Sequence, residues 1–111
     1  MPAKSAVYIP TQAYTADITG GTINKGQNQD IGFICHFTGT DIIAAMVIQT
    51  SVDNVLWADW SSTAVAASAD KAIGGKIPFQ YVRIFADWTS GTGNITVQYF
   101  IPDSSAATLG P

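Results

Sequence analysis

The sequence predicts an all-β protein: an antiparallel β-sandwich, jelly-roll or immunoglobulin-like, with an extended N-terminal arm and a short C-terminal tail. Three observations carry this. Residue choice is lopsided, with thirteen Ile and twelve Thr against two Leu and no Glu; β-branched side chains suit a pleated, half-buried surface, whereas the straight-chain helix formers are scarce. All eight acidic residues are Asp, which bonds its own backbone in turns and is disfavoured in helix interiors. Apolar residues recur with a period of two, the period of a strand with one face on a core. The 111 residues suffice for one domain with one core.

Residues 1–28 read as an arm or as loosely paired edge segments. Ser5 to Ile9 has the makings of a short strand stopped by Pro10. The stretch after Pro10 is rich in Thr, Gly, Asn and Gln, with Gly20-Gly21 and Lys25-Gly26 as turns. The sandwich proper spans residues 29–101. Ile31 to Phe37 is its first firm strand, with Ile31, Phe33, Cys35 and Phe37 on one face. After a turn at Thr38–Asp41 comes Ile42 to Thr50, apolar on both faces, as expected of a central, covered strand. Asp53-Asn54 makes a hairpin corner, because both residues tolerate left-handed backbone. The return strand is expected from Val55 to Trp60.

Ala64 to Ala69 reads as a short strand or loop, with a short helix as the alternative. Phe79 to Trp88 alternates, with Val82, Ile84, Ala86 and Trp88 facing the core. After the loop Thr89–Asn94, the last strand places Ile95, Val97, Tyr99 and Ile101 inside. Residues 102–111 form the tail.

Charge and motifs narrow the function. Charged residues are 12% of the chain, the net charge is −3, and the five cations are scattered. Nucleic acid demands clustered Lys and Arg, so it is not an expected partner. Low charge with a mean hydropathy of +0.20 fits a surface partly covered by other subunits, or an ordinary uncharged β domain. The N-terminus has no apolar signal core. The longest apolar stretch, 42–52, is far short of the ~20 residues of a membrane-spanning helix. A membrane is therefore not expected either. Asn94-Ile95-Thr96 matches a glycosylation sequon and is read as incidental.

The chain is expected to be a non-enzyme with no catalytic, metal or cofactor site. His36 is its only His and lies beside Cys35; neighbours on a strand point apart and cannot act as a nucleophile–base couple. One His and one Cys do not make a zinc site. The Asp residues are spread one per turn, unlike a calcium site, although Asp41, Asp53 and Asp59 could converge in space. Trp57 and Trp60 are three apart, so a regular strand puts them on opposite faces, and Trp88 shares the core parity. A sugar-stacking platform is correspondingly disfavoured. The positive signal is a surplus apolar face, which a monomer rarely exposes as one patch. Ile43, Val47, Tyr81, Phe85 and Phe100 are its candidate subunit-interface residues.

Val47-Ile48-Gln49-Thr50-Ser51-Val52-Asp53-Asn54-Val55-Leu56-Trp57, followed by Phe79-Gln80-Tyr81-Val82-Arg83-Ile84, resembles a pattern of small tailed-bacteriophage virion proteins. That pattern is a strand, a Ser-x-Asp-Gly-like turn and a Trp strand, then a Tyr-Val-Arg-apolar strand and a Gly-rich loop with Thr-Val. The likeness runs over residues 42–101; Asn54 stands where Gly is usual, which left-handed tolerance permits. It implies a structural virion protein, first of all a capsid decoration (cement) protein. Such a protein is made in the host cytoplasm and sits on the capsid surface. Its partners would be the major capsid protein and copies of itself, commonly a homotrimer. The arm, 1–28, would reach a neighbour, and deleting 1–20 would leave the sandwich folded. The alternatives are a tail or baseplate subunit and a carbohydrate-binding virion module that contacts host glycans.

Overall fold

A long antiparallel ribbon, rolled up on itself, accounts for the architecture. The computed structural model describes residues 4–66 and 68–102. The strands are β1 (Lys4–Ala13), β2 (Ile18–Thr19), β3 (Ile23–Asn24), β4 (Asp30–Thr38), β5 (Ile43–Ser51), β6 (Ala58–Ala66), β7 (Ala69–Lys76), β8 (Tyr81–Ser90) and β9 (Asn94–Ile101). The ribbon's own pairs are β5–β6 at its tip, then β4–β7, β2 and β3 with β8, and β1–β9. Rolling it adds β4–β9 and β5–β8. The first sheet therefore runs β1-β9-β4-β7, and the second β2-β8-β5-β6 with β3 also on β8. This is the jelly-roll order, which decides between the two expected topologies.

The core lies between the sheets and is filled by the alternate residues the sequence marks out. Ile31, Phe33, Cys35 and Phe37 of β4, Ala44, Met46 and Ile48 of β5, Val82, Ile84 and Ala86 of β8, and Ile95, Val97 and Ile101 of β9 are all buried. Each large apolar side chain removed from water in this way contributes roughly 1.5–3 kcal/mol. Trp88 and Tyr99 sit at the core's margin, only partly buried. Ala64 to Ala66 end β6 and Ala69 begins β7, so these residues are strand and not helix; Ala67 lies outside the described residues.

Residues 4–28 are edge segments, one of the two expected forms, and not an arm extending from the sandwich. β1 is a ten-residue edge strand of the first sheet, and it passes straight through Pro10. An edge strand with bulges makes that possible: the β1–β9 register shifts between Val7 and Ile9 and again between Ile9 and Gln12, so Pro10 has no ladder bond to forfeit. The first bulge leaves Tyr8 unpaired, and its hydroxyl reaches the other sheet, donating to the Gly21 carbonyl and accepting from the Ile84 N–H. Gly20 makes room for that ring, since a Cβ there would collide with it. Tyr14 is fully buried against Phe37. Lys25 is buried too; its ammonium donates to the carbonyls of Asn28 and Ile77, and burial pushes its pKa down.

Two more differences lie at ribbon ends. The strand expected from Val55 begins only at Ala58, because residues 52–57 form a six-residue loop. Of the expected tail, Pro102 is fixed by a bond from the Asn28 amide to its carbonyl; residues 103–111 lie outside the described residues.

Candidate functional site

The β5–β6 loop is built by side chains that replace missing strand bonds. The Ser51 hydroxyl accepts from the N–H groups of Asp53 (3.2 Å) and Asn54 (2.9 Å) and donates to Asp53 Oδ1 (3.0 Å). Asp53 Oδ1 in turn accepts from the N–H groups of Leu56 (3.0 Å) and Val55 (2.9 Å). Those two backbone bonds, with the Ser51 hydroxyl, hold the Asp53 pKa below its ordinary value. Asn54 has φ 62°, the left-handed corner anticipated from its type, and its side chain accepts from Thr22 at 2.8 Å. The loop so fixed presents Val52, Val55 and Leu56 to solvent at 70%, 72% and 76% exposure. Three aliphatic side chains held in water by a closed polar network are unusual for a surface loop.

The outer face of the second sheet carries four of the five expected interface residues. Ile43 is 51% exposed, while Val47, Tyr81 and Phe85 are half-buried. Val47 and Phe85 stand directly opposite each other on β5 and β8. A polar row crosses this face. Arg83 Nε donates to Gln49 Oε1 (2.8 Å), Gln49 Nε2 donates to Asp59 Oδ1 (3.1 Å), and the guanidinium lies 4.1 Å from the centre of the Trp57 ring. Trp60 is the extra residue of a bulge opposite Ile48 and Gln49, and it packs edge-on against Phe79. The two Trp rings thus have separate partners.

Phe100 is on the other broad face. It projects from β9 of the first sheet, so the five residues do not form one surface. With it are Val7 and Ile34, which sequence reading passed over. Together they flank an open groove of about 760 Å³ over Gly32 and Gly74, which are directly paired on β4 and β7. Further along this face His36 bridges two neighbouring strands, with Nδ1 2.9 Å from Asp70 Oδ1 and Nε2 3.2 Å from Gln98 Oε1. Asp70 first, then Gln98, raises the His36 pKa. Ile34 had a signal: it shares outward parity with His36 yet is apolar.

Reactive groups are kept apart. Burial pushes the Cys35 thiol up to about 12, and His36 lies on the opposite side of β4. Asp41 accepts from the Thr92 N–H, Asp53 serves its own loop and Asp59 accepts from Gln49, so the three do not converge. Among the described residues no three His, Cys, Asp or Glu side chains are grouped to hold a metal ion.

The fold defines the class first: a single jelly-roll domain whose two outer faces and hairpin tip carry exposed apolar side chains. No family model matches the chain, and no curated protein matches its sequence. Solved structures do share its fold. The PBSX exported protein XepA superposes with a TM-score of 0.62 at 15% identity, over 90% of this chain and 36% of XepA. PirA superposes at 0.56 and 12% identity, over 88% of this chain and 92% of PirA. A protein of the Bacillus endospore appendages, described as a novel family of disulfide-linked pili, gives 0.51 and 15%, over 91% and 88%. This chain therefore corresponds to about a third of XepA. At such identities the likeness is one of fold.

Proposed function

We propose that this protein is a structural component of a tailed-bacteriophage virion, a decoration protein that binds the outer surface of the assembled capsid and stabilises it. The observation that carries the reading is the distribution of exposed apolar side chains. They occur in three separate places: the hairpin tip with Val52, Val55 and Leu56, the second sheet's face with Ile43, and the first sheet's face with Val7, Ile34 and Phe100. A subunit that binds by burial on several sides suits a lattice, in which weak contacts repeat and compound. The pattern over residues 42–101 supports a virion role. The exported and appendage proteins that share the fold are consistent with a role outside the cell.

The protein acts by binding, not by catalysis. The hairpin tip is the part that enters the capsid, because its backbone is already fixed by the Ser51 and Asp53 bonds and has little conformational freedom to lose on docking. Sedimentation of the purified protein with capsids that lack it tests the proposal. Wild type is expected to pellet with the capsids to saturation. The double variant Val55→Asp, Leu56→Asp is expected to bind at least about tenfold more weakly with an unchanged melting temperature, since both side chains are exposed. Wild type that stays in the supernatant, or a double variant that binds as wild type does, would refute it.

A further inference from the structure

We propose that the outer face of the first sheet is a contact between two copies of this chain, packed face to face about a two-fold axis. Such a contact is isologous: where residue i of one copy meets residue j of the other, j also meets i, so one surface must carry both a projection and its receptor. This face has both. Phe100 projects from β9, 49% exposed, and stands directly opposite Gly32 in the β4–β9 register. Beside it lies the hollow over Gly32 and Gly74. The two-fold sets each Phe100 ring into the other copy's hollow.

Gly32 is the telling residue. Glycine in a central strand weakens it and commonly marks close approach by another group. At Gly32 neither backbone nor packing asks for glycine: it is absent from the positive-φ residues, and a Cβ there would meet nothing within 4 Å. Gly74, by contrast, is needed by the fold, since a Cβ would lie 2.7 Å from the Gly32 Cα and collide with the Ile31 carbonyl. What glycine at 32 achieves is an open hollow, and the groove of about 760 Å³ is the result.

Charge and size fit a second copy as the occupant. The centre of the face, with Val7, Ile34, Ala72 and Phe100, is uncharged. Among the described residues its charged groups lie towards the ends, where Asp30 has Lys76 at 3.4 Å and Asp70 is hydrogen-bonded to His36 at 2.9 Å. Self-pairing about the apolar centre therefore buries no charge there. The molecule is a slab of 44 × 30 × 19 Å, and a broad face of that size exceeds the roughly 800 Å² per partner of a standard interface. Cys35, the only cysteine, is buried, so the pair is held by packing and not by a disulfide.

The contact is independent of capsid attachment and is tested without capsids, by sedimentation equilibrium up to roughly 1 mM protein. Wild type is expected to pass from 11.7 kDa to twice that mass as concentration rises. Gly32→Val fills the hollow with a good strand former at an open position. It is expected to weaken pairing at least about tenfold while its melting temperature in dilute solution holds or rises. Phe100→Ser should weaken pairing similarly, and Ile43→Ser, on the opposite face, should leave it unchanged. A wild type that remains monomeric or forms a three-fold species overturns the proposal. So does a Gly32→Val variant that pairs like wild type, or loss of pairing through Ile43→Ser alone.

Discussion

Tyr14 shows how a single residue can be well packed and still cost stability. Its ring is fully buried and its N–H is bonded to the Gly93 carbonyl at 2.8 Å, yet its hydroxyl has no hydrogen-bond partner among the described residues. Burial, with Asp17 and Asp87 close by, raises its pKa, so it stays a neutral phenol. A buried polar group without a partner costs about 1–3 kcal/mol, whereas removing it at constant shape is neutral or better. Tyr14→Phe is therefore expected to leave stability unchanged or raise it by up to about 2 kcal/mol, measured by urea unfolding. A loss of more than about 1 kcal/mol would show that the hydroxyl is bonded after all. The free hydroxyl was invisible in the sequence, because Tyr14 sits in a stretch without periodicity.

At the scale of the element, the hairpin loop and the N-terminal strand make opposite cases. The loop corner was readable because Asp53 and Asn54 act locally, through their own backbone. Its length was not, because Val55 and Leu56 look like strand residues and only the Ser51 and Asp53 bonds hold them in a loop. Ser51→Ala removes the acceptor for two N–H groups and is expected to cost about 1–2 kcal/mol, seen as a lower urea midpoint with the same slope; an unchanged midpoint would deny Ser51 this role. Strands β4, β5, β8 and β9 were legible because each has a half-buried face that enforces the period of two. In β1 the only fully buried residue is Ile9, and two bulges interrupt the period, so the sequence left an arm and paired edge segments as alternatives. The five candidate interface residues divide between the two faces for a different reason. Alternation tells which side of its strand Phe100 takes, but not which sheet the strand joins, and that is decided by distant pairings.

For the molecule as a whole, the inclusion of residues 4–28 changes what truncation should do. Removing residues 1–13 would strip β1 from β9, uncover the Ile9 site and cut the Tyr8 tie between the sheets. The expected product is an unfolded or aggregated chain, checked by circular dichroism and by the dispersion of its amide spectrum. A well-dispersed, stable product would restore the view of this segment as a separable arm. The two sheets share one core, so among the described residues no strand can be lost without exposing it.

The rolled ribbon also sets an order in time. Closing the six-residue loop of β5–β6 is entropically cheaper than bringing β1 to β9, some eighty residues apart in the chain, by about 2 kcal/mol. The tip can therefore form early, with successive pairs following outward and the terminal pair joining last. Changes at the tip should then act on the folding rate, and changes in β1 on the unfolding rate. Ser51→Ala is expected to slow refolding more than it speeds unfolding, and stopped-flow kinetics showing the reverse would place the tip outside the nucleus. The corner that the sequence announced most plainly would then be where the chain begins to fold.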